Sequence, residues 1–97
     1  MLLLKVNVCP SGSIVRVAIL ANASPAYGLA ASIWGRDISA IHRLVPKVRA
    51  GTVWVNCHGF VDPAMPFGGF KQSGFGREHS HTVFEHYTEI KSVCIAL

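Results

Sequence analysis

The apolar positions of this chain change period along its length, and the changes divide it into elements. Residues 2–8, "LLLKVNV", are apolar and β-prone, and "PSG" stops them, which predicts a strand. In "SIVRVAILANA", Ser13 is placed as an N-cap. Ile14, Val17, Ala18 and Ala21 follow at helical spacing, so this stretch reads as a helix. "SPAYG" is a turn. The run "LAASIW", 29–34, reads as a buried strand, and Asp37 then stands where a helix would be capped. Ile38, Ile41, Leu44, Val45 and Val48 trace one face of that helix.

Pro46 interrupts this face. It removes the N–H that would bond the carbonyl of His42, which predicts a kink or a loosened last turn. Gly51 is expected to end the helix as its C′ residue. "TVWVN", 52–56, has high β-propensity and reads as a short strand. Strand, helix and strand at these lengths form a βαβ unit with parallel strands. Residues 57–76 are rich in glycine, lack any period and read as a long loop. A short helix around 80–86 and a last strand, "SVCIAL", 92–97, complete the chain. The fold class is therefore α/β.

Composition changes this picture in one respect. The chain has 97 residues, enough for one domain at most, yet 51% are hydrophobic and only 14% charged. A typical soluble domain carries about 25% charged residues. A small domain has proportionally more surface to cover. The excess of apolar residues implies that a partner covers one face or that the chain belongs to a larger fold.

The formal net charge is +4, but the nine Lys and Arg residues are scattered and do not interleave with aromatics. This argues against nucleic-acid binding. No stretch approaches the ~18 apolar residues of a membrane span, and the N-terminus lacks the parts of a signal peptide. Cys9, Cys57 and Cys94 are odd in number and widely spaced. They make neither a disulfide framework nor a zinc pattern, so a reducing compartment, the cytoplasm, fits best.

Three candidate chemistries follow from the motifs. "PFGGFKQSGFGRE", 66–78, suggests a phosphate cradle, but its spacing matches neither a P-loop nor the dinucleotide fingerprint. Position 79 is His where the fingerprint needs its third glycine. The plainer reading is that the glycines permit turns and close backbone approach. Cys57-His58 suggests an activated thiol, but neighbours in an extended segment point to opposite faces, so His58 is badly placed to deprotonate Cys57. His79, His81 and His86 are too dispersed along a helix to chelate one ion.

In order along the chain, "YGLAASIWGRD", "RAGTVWVN", "PFGGFKQSGFGRE" and "YTEIKSV" resemble the C-terminal part of the NAD(P)-dependent aldehyde dehydrogenase superfamily. The resemblance runs from about Ala21 to Val93, with residues 1–16 fitting poorly. Its wording is most similar to members acting on aryl-type aldehydes such as phenylacetaldehyde. It implies a partial three-layer α/β fold, with 1–97 as one partial domain and 87–97 as an oligomerisation arm. In the family a cysteine thiolate attacks the aldehyde, hydride passes to NAD(P)+, and a glutamate-activated water hydrolyses the thioester.

The resemblance also implies that the nucleophile, the general base and the cofactor domain lie upstream of the matched part. The chain alone is then expected to be inactive and to bind no NAD or NADP. Carried over by position, Phe60, Val61 and Phe67 match residues lining the substrate tunnel, and Glu78 matches a glutamate near the active-site water path. Arg77 and Glu89 match an ion pair near the subunit interface. The implied partners are a small aldehyde and a second subunit, as a homo-oligomer or with a full-length relative. Two departures from the family wording stand out: Ala26 is an apparent insertion, and Ser80 stands in place of a glycine.

Overall fold

The run Ala30-Ala31-Ser32-Ile33 has no polar alternation because both of its faces are covered, as in a strand at the centre of a parallel sheet. In the computed structural model, which describes the backbone of Leu3–Asn7 and all of residues 24–97, this run is the middle strand of three. Strand β1 (Leu3–Asn7) and strand β3 (Ala30–Trp34) are parallel, with Leu3 opposite Ala30 and Asn7 opposite Trp34. Strand β4 (Thr52–Val55) lies parallel on the other side, with Ala30 opposite Thr52 and Ile33 opposite Val55. The expected parallel βαβ unit is thus present. The helix expected after Ser13 falls outside the described residues.

Helix α1 (Ile38–Leu44) connects β3 to β4. Asp37 caps it, its carboxylate accepting the Ala40 N–H at 2.9 Å. His42 and Arg43 stand in its last turn, where positive charge suits the helix dipole. The face packed on the sheet is Ala40, Ile41 and Leu44, whereas Ile38, expected on that face, is exposed. At Pro46 the α-helix has already given way to a 3₁₀ turn, Val45–Lys47, as the missing N–H dictates.

The core is Ala31 and Ile33 of β3 against Ile41, Leu44 and Val48, with Val53 and Val55 packed at its margin. Strand periodicity places 31, 33, 53 and 55 on one sheet face. Fully burying each large aliphatic side chain contributes about 1.5–3 kcal/mol. Strand β4 is only half-buried, because among the described residues it pairs with β3 alone.

Gly51 does not end the helix as a C′ residue. It lies four residues past the 3₁₀ turn, and its N–H donates to the Gly28 carbonyl at 3.0 Å. Glycine is required there by close approach, since a Cβ would overlap the carbonyl oxygen of Gly68.

Residues 57–76 are not structureless. A second, two-stranded antiparallel sheet joins β2 (Tyr27–Gly28) to β5 (Phe70–Lys71), with Tyr27 opposite Lys71. Phe67 and Glu78 form a further antiparallel bridge, exchanging N–H···O bonds of 2.8 and 2.7 Å. The short helix is a 3₁₀ turn, His81–Val83, running into α2 (Phe84–Tyr87), with the Ser80 hydroxyl accepting the Thr82 N–H.

The last strand expected at 92–97 is not formed. Residues 88–97 carry no regular element and are exposed throughout. A strand needs a neighbour to complete its ladder, and no other described strand lies beside this segment.

Candidate functional site

The glycine-rich loop is held against the turn at 24–28 by its own polar side chains. The Lys71 ammonium donates to the Ser24 carbonyl at 2.7 Å. The Gln72 N–H donates to the Ala26 carbonyl at 2.9 Å. The Ser73 hydroxyl accepts the buried Gly28 N–H at 3.0 Å. Within the loop, the Arg77 guanidinium donates to the carbonyls of Gly76 (2.6 Å) and Gly69 (3.1 Å) and lies 5.3 Å from the Phe70 ring centre. Gly68 and Gly69 leave no room for a Cβ, which would press on Gly76 and Ser73 respectively. The two cations that a phosphate would need, Lys71 and Arg77, are therefore engaged with backbone carbonyls.

This arrangement explains the density of glycine beside charge. Gly68 and Gly69 allow backbone to approach backbone, Gly74 and Gly76 supply positive φ, and the charged groups close the resulting folds. Sequence reasoning foresaw the close approach but missed the roles of Lys71, Ser73 and Arg77 as staples. Their partners lie up to 47 residues away, beyond any local pattern.

Of the residues carried over by position, Phe60, Val61 and Phe67 converge. Together with Thr52, Asp62, Met65 and Pro66 they line one small recess of about 20 Å³. Phe60 and Val61 are 65% and 51% exposed, so they form an open wall rather than an enclosed pocket. The bend that presents them is well fixed. The Asp62 carboxylate accepts the Ala64 N–H at 2.8 Å, and the Pro63 carbonyl accepts the Ser80 N–H at 2.7 Å.

A larger cleft of about 440 Å³ lies on the other side of Phe67, lined by Leu29, Phe75, Arg77, Glu78, His86 and Tyr87 among others. The Glu78 side chain sits at its exposed rim. Arg77 and Glu89 are not brought together. Arg77 is directed to Gly69 and Gly76, and Glu89 stands in the exposed 88–97 segment.

Cys57 is an exposed free thiol at the end of β4. His58 does not act on it. Its Nδ1 is 2.9 Å from the Ser32 hydroxyl, and its ring meets Trp54 edge-on at 4.8 Å. The histidines of the 79–86 segment are dispersed as well. The His86 Nε2 accepts the Arg77 N–H at 3.3 Å, and His79 leans on Phe67 with ring centres 6.3 Å apart. Among the described residues no three His, Cys, Asp or Glu groups converge on a metal-sized site. No helix among them is long and apolar enough to cross a membrane.

The pattern of the aldehyde dehydrogenase family matches residues 7–93, nearly the whole chain. The chain belongs to the aldehyde dehydrogenase family. The match begins earlier than the resemblance read from the motifs, which runs from about Ala21. Phenylacetaldehyde dehydrogenase of Pseudomonas fluorescens is 54% identical over 87 residues, 90% of this chain but 17% of that protein. Betaine aldehyde dehydrogenase of Rhizobium leguminosarum bv. trifolii (strain WSM2304) is 46% identical over 77 residues, 79% of this chain and 16% of its own length.

Solved aldehyde dehydrogenases share the fold of this chain over part of their length. The apo form of an indole-3-acetaldehyde dehydrogenase superimposes with a TM-score of 0.77 at 46% identity, over 88% of this chain and 20% of that one. An NAD+ complex of an aldehyde dehydrogenase from Bacillus cereus does so at 0.77 and 45%, over 88% and 17%. The chain thus spans about a sixth of the length of the curated relatives it matches.

Proposed function

We propose that this chain is the C-terminal portion of an NAD(P)-dependent aldehyde dehydrogenase and supplies one wall of its substrate tunnel. The observation that carries this reading is the convergence of Phe60, Val61 and Phe67 on one recess, with Asp62 and Thr52 at its edge, beside a loop stapled to the turn at 24–28. An apolar wall of this kind suits an apolar aldehyde of the phenylacetaldehyde class. Glu78, at the rim of the adjoining cleft, is assigned to the water path on the same reading.

The chain alone does not oxidise aldehydes. The histidine next to Cys57, the neighbour that could activate its thiol, is turned to Ser32. The glycine-rich loop also does not fit the phosphates of a dinucleotide. Lys71 and Arg77 are bonded to carbonyls, and Gly68 and Gly69 are pressed against backbone rather than opened toward a phosphate. NAD or NADP belongs to the complete family fold.

A chimera tests the tunnel assignment. This chain replaces the matched segment of the Pseudomonas fluorescens phenylacetaldehyde dehydrogenase, and Phe60→Ala and Val61→Ala are introduced into it. Each should raise KM for phenylacetaldehyde about tenfold, the scale of losing a few methylenes from an apolar pocket. Unchanged KM and kcat in both variants would remove these residues from the tunnel.

A second reading rests on the 88–97 segment, where Ile90, Val93, Ile95 and Leu97 are all more than two-thirds exposed. This apolar tail, with Glu89 at its start, suits pairing with a second subunit, where Arg77–Glu89 would become an interface ion pair. Light scattering on the eluting chain separates the two readings. A folded monomer would sink the assembly reading and leave the tunnel assignment intact.

A further inference from the structure

A line of three contacts runs from the centre of the sheet to the loop that carries Phe60 and Val61. It begins at Ser32, in the middle of β3 and only 2% exposed. Its hydroxyl is cut off from bulk water, so it needs a protein partner. Among the described residues that partner is His58, with 2.9 Å between Oγ and Nδ1. The His58 ring then stands edge-on to Trp54, with centroids 4.8 Å apart and planes at 74°, an arrangement aromatic rings favour. Trp54, from β4, donates its indole N–H to the carbonyl of Phe60 at 2.8 Å.

The backbone between these contacts is shaped for them. Asn56 has φ +53°, and its side chain clasps Gly35 in both directions, accepting the Gly35 N–H at 2.9 Å and donating to its carbonyl at 2.8 Å. Gly59 has φ +74° with open space around its α-carbon, so the turn between His58 and Phe60 requires glycine for its dihedral alone. The loop is thus turned at Asn56 and again at Gly59. Between those two turns its side-chain tie to the sheet is the Ser32–His58 bond.

We propose that Ser32 and His58 are positioning residues that act through Trp54 to hold Phe60 and Val61 in place. Their consequence for substrate choice rests on the tunnel-wall reading above; the positioning itself does not. Ser32 supplies a buried, directional anchor that a methyl group could not. His58 converts that anchor into an aromatic stop for Trp54. Trp54 fixes the height of the Phe60 carbonyl, and so of the side chains at 60 and 61. The exposed His58 is then not a surface histidine free to turn, and Cys57-His58 is a structural rather than a nucleophilic pair.

Amide and indole hydrogen exchange on the whole chain, read residue by residue by NMR, tests the positioning. Ser32→Ala and His58→Phe should each speed exchange of the Trp54 indole N–H, which the Phe60 carbonyl holds, by about five- to tenfold, the factor carried by one ordinary hydrogen bond. Amides of Ile41 and Leu44 in the core should be unaffected. Ser32→Thr, which keeps the hydroxyl, should restore the slow exchange. His58→Phe changes an exposed residue, so it remains informative if Ser32→Ala loosens the sheet. Unchanged exchange of the Trp54 indole N–H in His58→Phe would overturn the proposal, as would loss of protection at Ile41 and Leu44 in step with it.

In the chimera described above, Ser32→Ala should raise KM for phenylacetaldehyde while leaving kcat within about twofold, the mark of altered binding rather than chemistry. If exchange responds and KM does not, the positioning stands and the tunnel assignment of Phe60 and Val61 falls.

Discussion

The Lys71 ammonium donates to the carbonyl oxygen of Ser24 at 2.7 Å, joining residues 47 apart in sequence. Beside it, β2 and β5 pair through Tyr27–Lys71 and Gly28–Phe70, and the Ser73 hydroxyl takes the Gly28 N–H. A loop rich in glycine has high conformational entropy to lose. These long-range contacts are what hold it in one shape.

Removing the Lys71 contact should therefore be felt in stability. Lys71→Met keeps most of the side chain's length and apolar stem but loses the charged donor. Hydrogen bonds to charged groups contribute about 1.5–3 kcal/mol, and partial exposure here should bring the loss toward the lower end. A urea titration followed by circular dichroism should show a lower midpoint with an unchanged slope. An unmoved midpoint would mean that Lys71 is not a staple.

Ser73→Ala leaves a buried backbone N–H, that of Gly28, without its acceptor. The expected cost is about 1–3 kcal/mol, that of a buried donor left unsatisfied. Ser73→Thr should retain part of the stability if the added methyl is accommodated. A Ser73→Ala protein as stable as the parent would show that water or another group takes the N–H.

Gly51 and Gly59 should respond differently to alanine. At Gly51 the new Cβ would collide with the Gly68 carbonyl, a backbone atom that cannot swing away. At Gly59 nothing lies within 4 Å, and only the positive φ opposes a side chain. Gly59→Ala should cost about 1 kcal/mol of backbone strain, and Gly51→Ala clearly more, because the two sheets must move apart. Thermal melts of the two variants side by side give the order. The reverse order would contradict the close approach.

Leu44→Ala and Asp37→Ala probe the helix that covers the sheet. Leu44 is fully buried in the core, so its truncation should cost about 2–5 kcal/mol. Asp37→Ala removes the cap to Ala40 and should cost about 1 kcal/mol. Chemical denaturation measures both. Equal effects would place Leu44 outside the core.

Local signals carried much of the fold. Asp37 as a cap, the break at Pro46, and the strands at 30–34 and 52–55 all depend on neighbours within a few residues, and all were readable. Gly51 was misread because a glycine after a helix and a glycine under a crossing backbone look alike in sequence. The β2–β5 pair and the bridge between Phe67 and Glu78 were invisible, since two-residue strands have no period. The strand expected at 92–97 has the right composition but no neighbour among the described strands to pair with. The motif wording led to the family, yet only the geometry showed that Phe60, Val61 and Phe67 share one recess. The tie from Ser32 to His58 spans 26 residues and left no trace in any motif.

The most direct test of the account is the simplest assay of the purified chain. Phenylacetaldehyde is supplied with NAD+ or with NADP+, and formation of reduced nicotinamide is followed. The account predicts none, because this part of the family fold supplies a tunnel wall and not the reacting groups. Turnover that disappears on Cys57→Ser would contradict it.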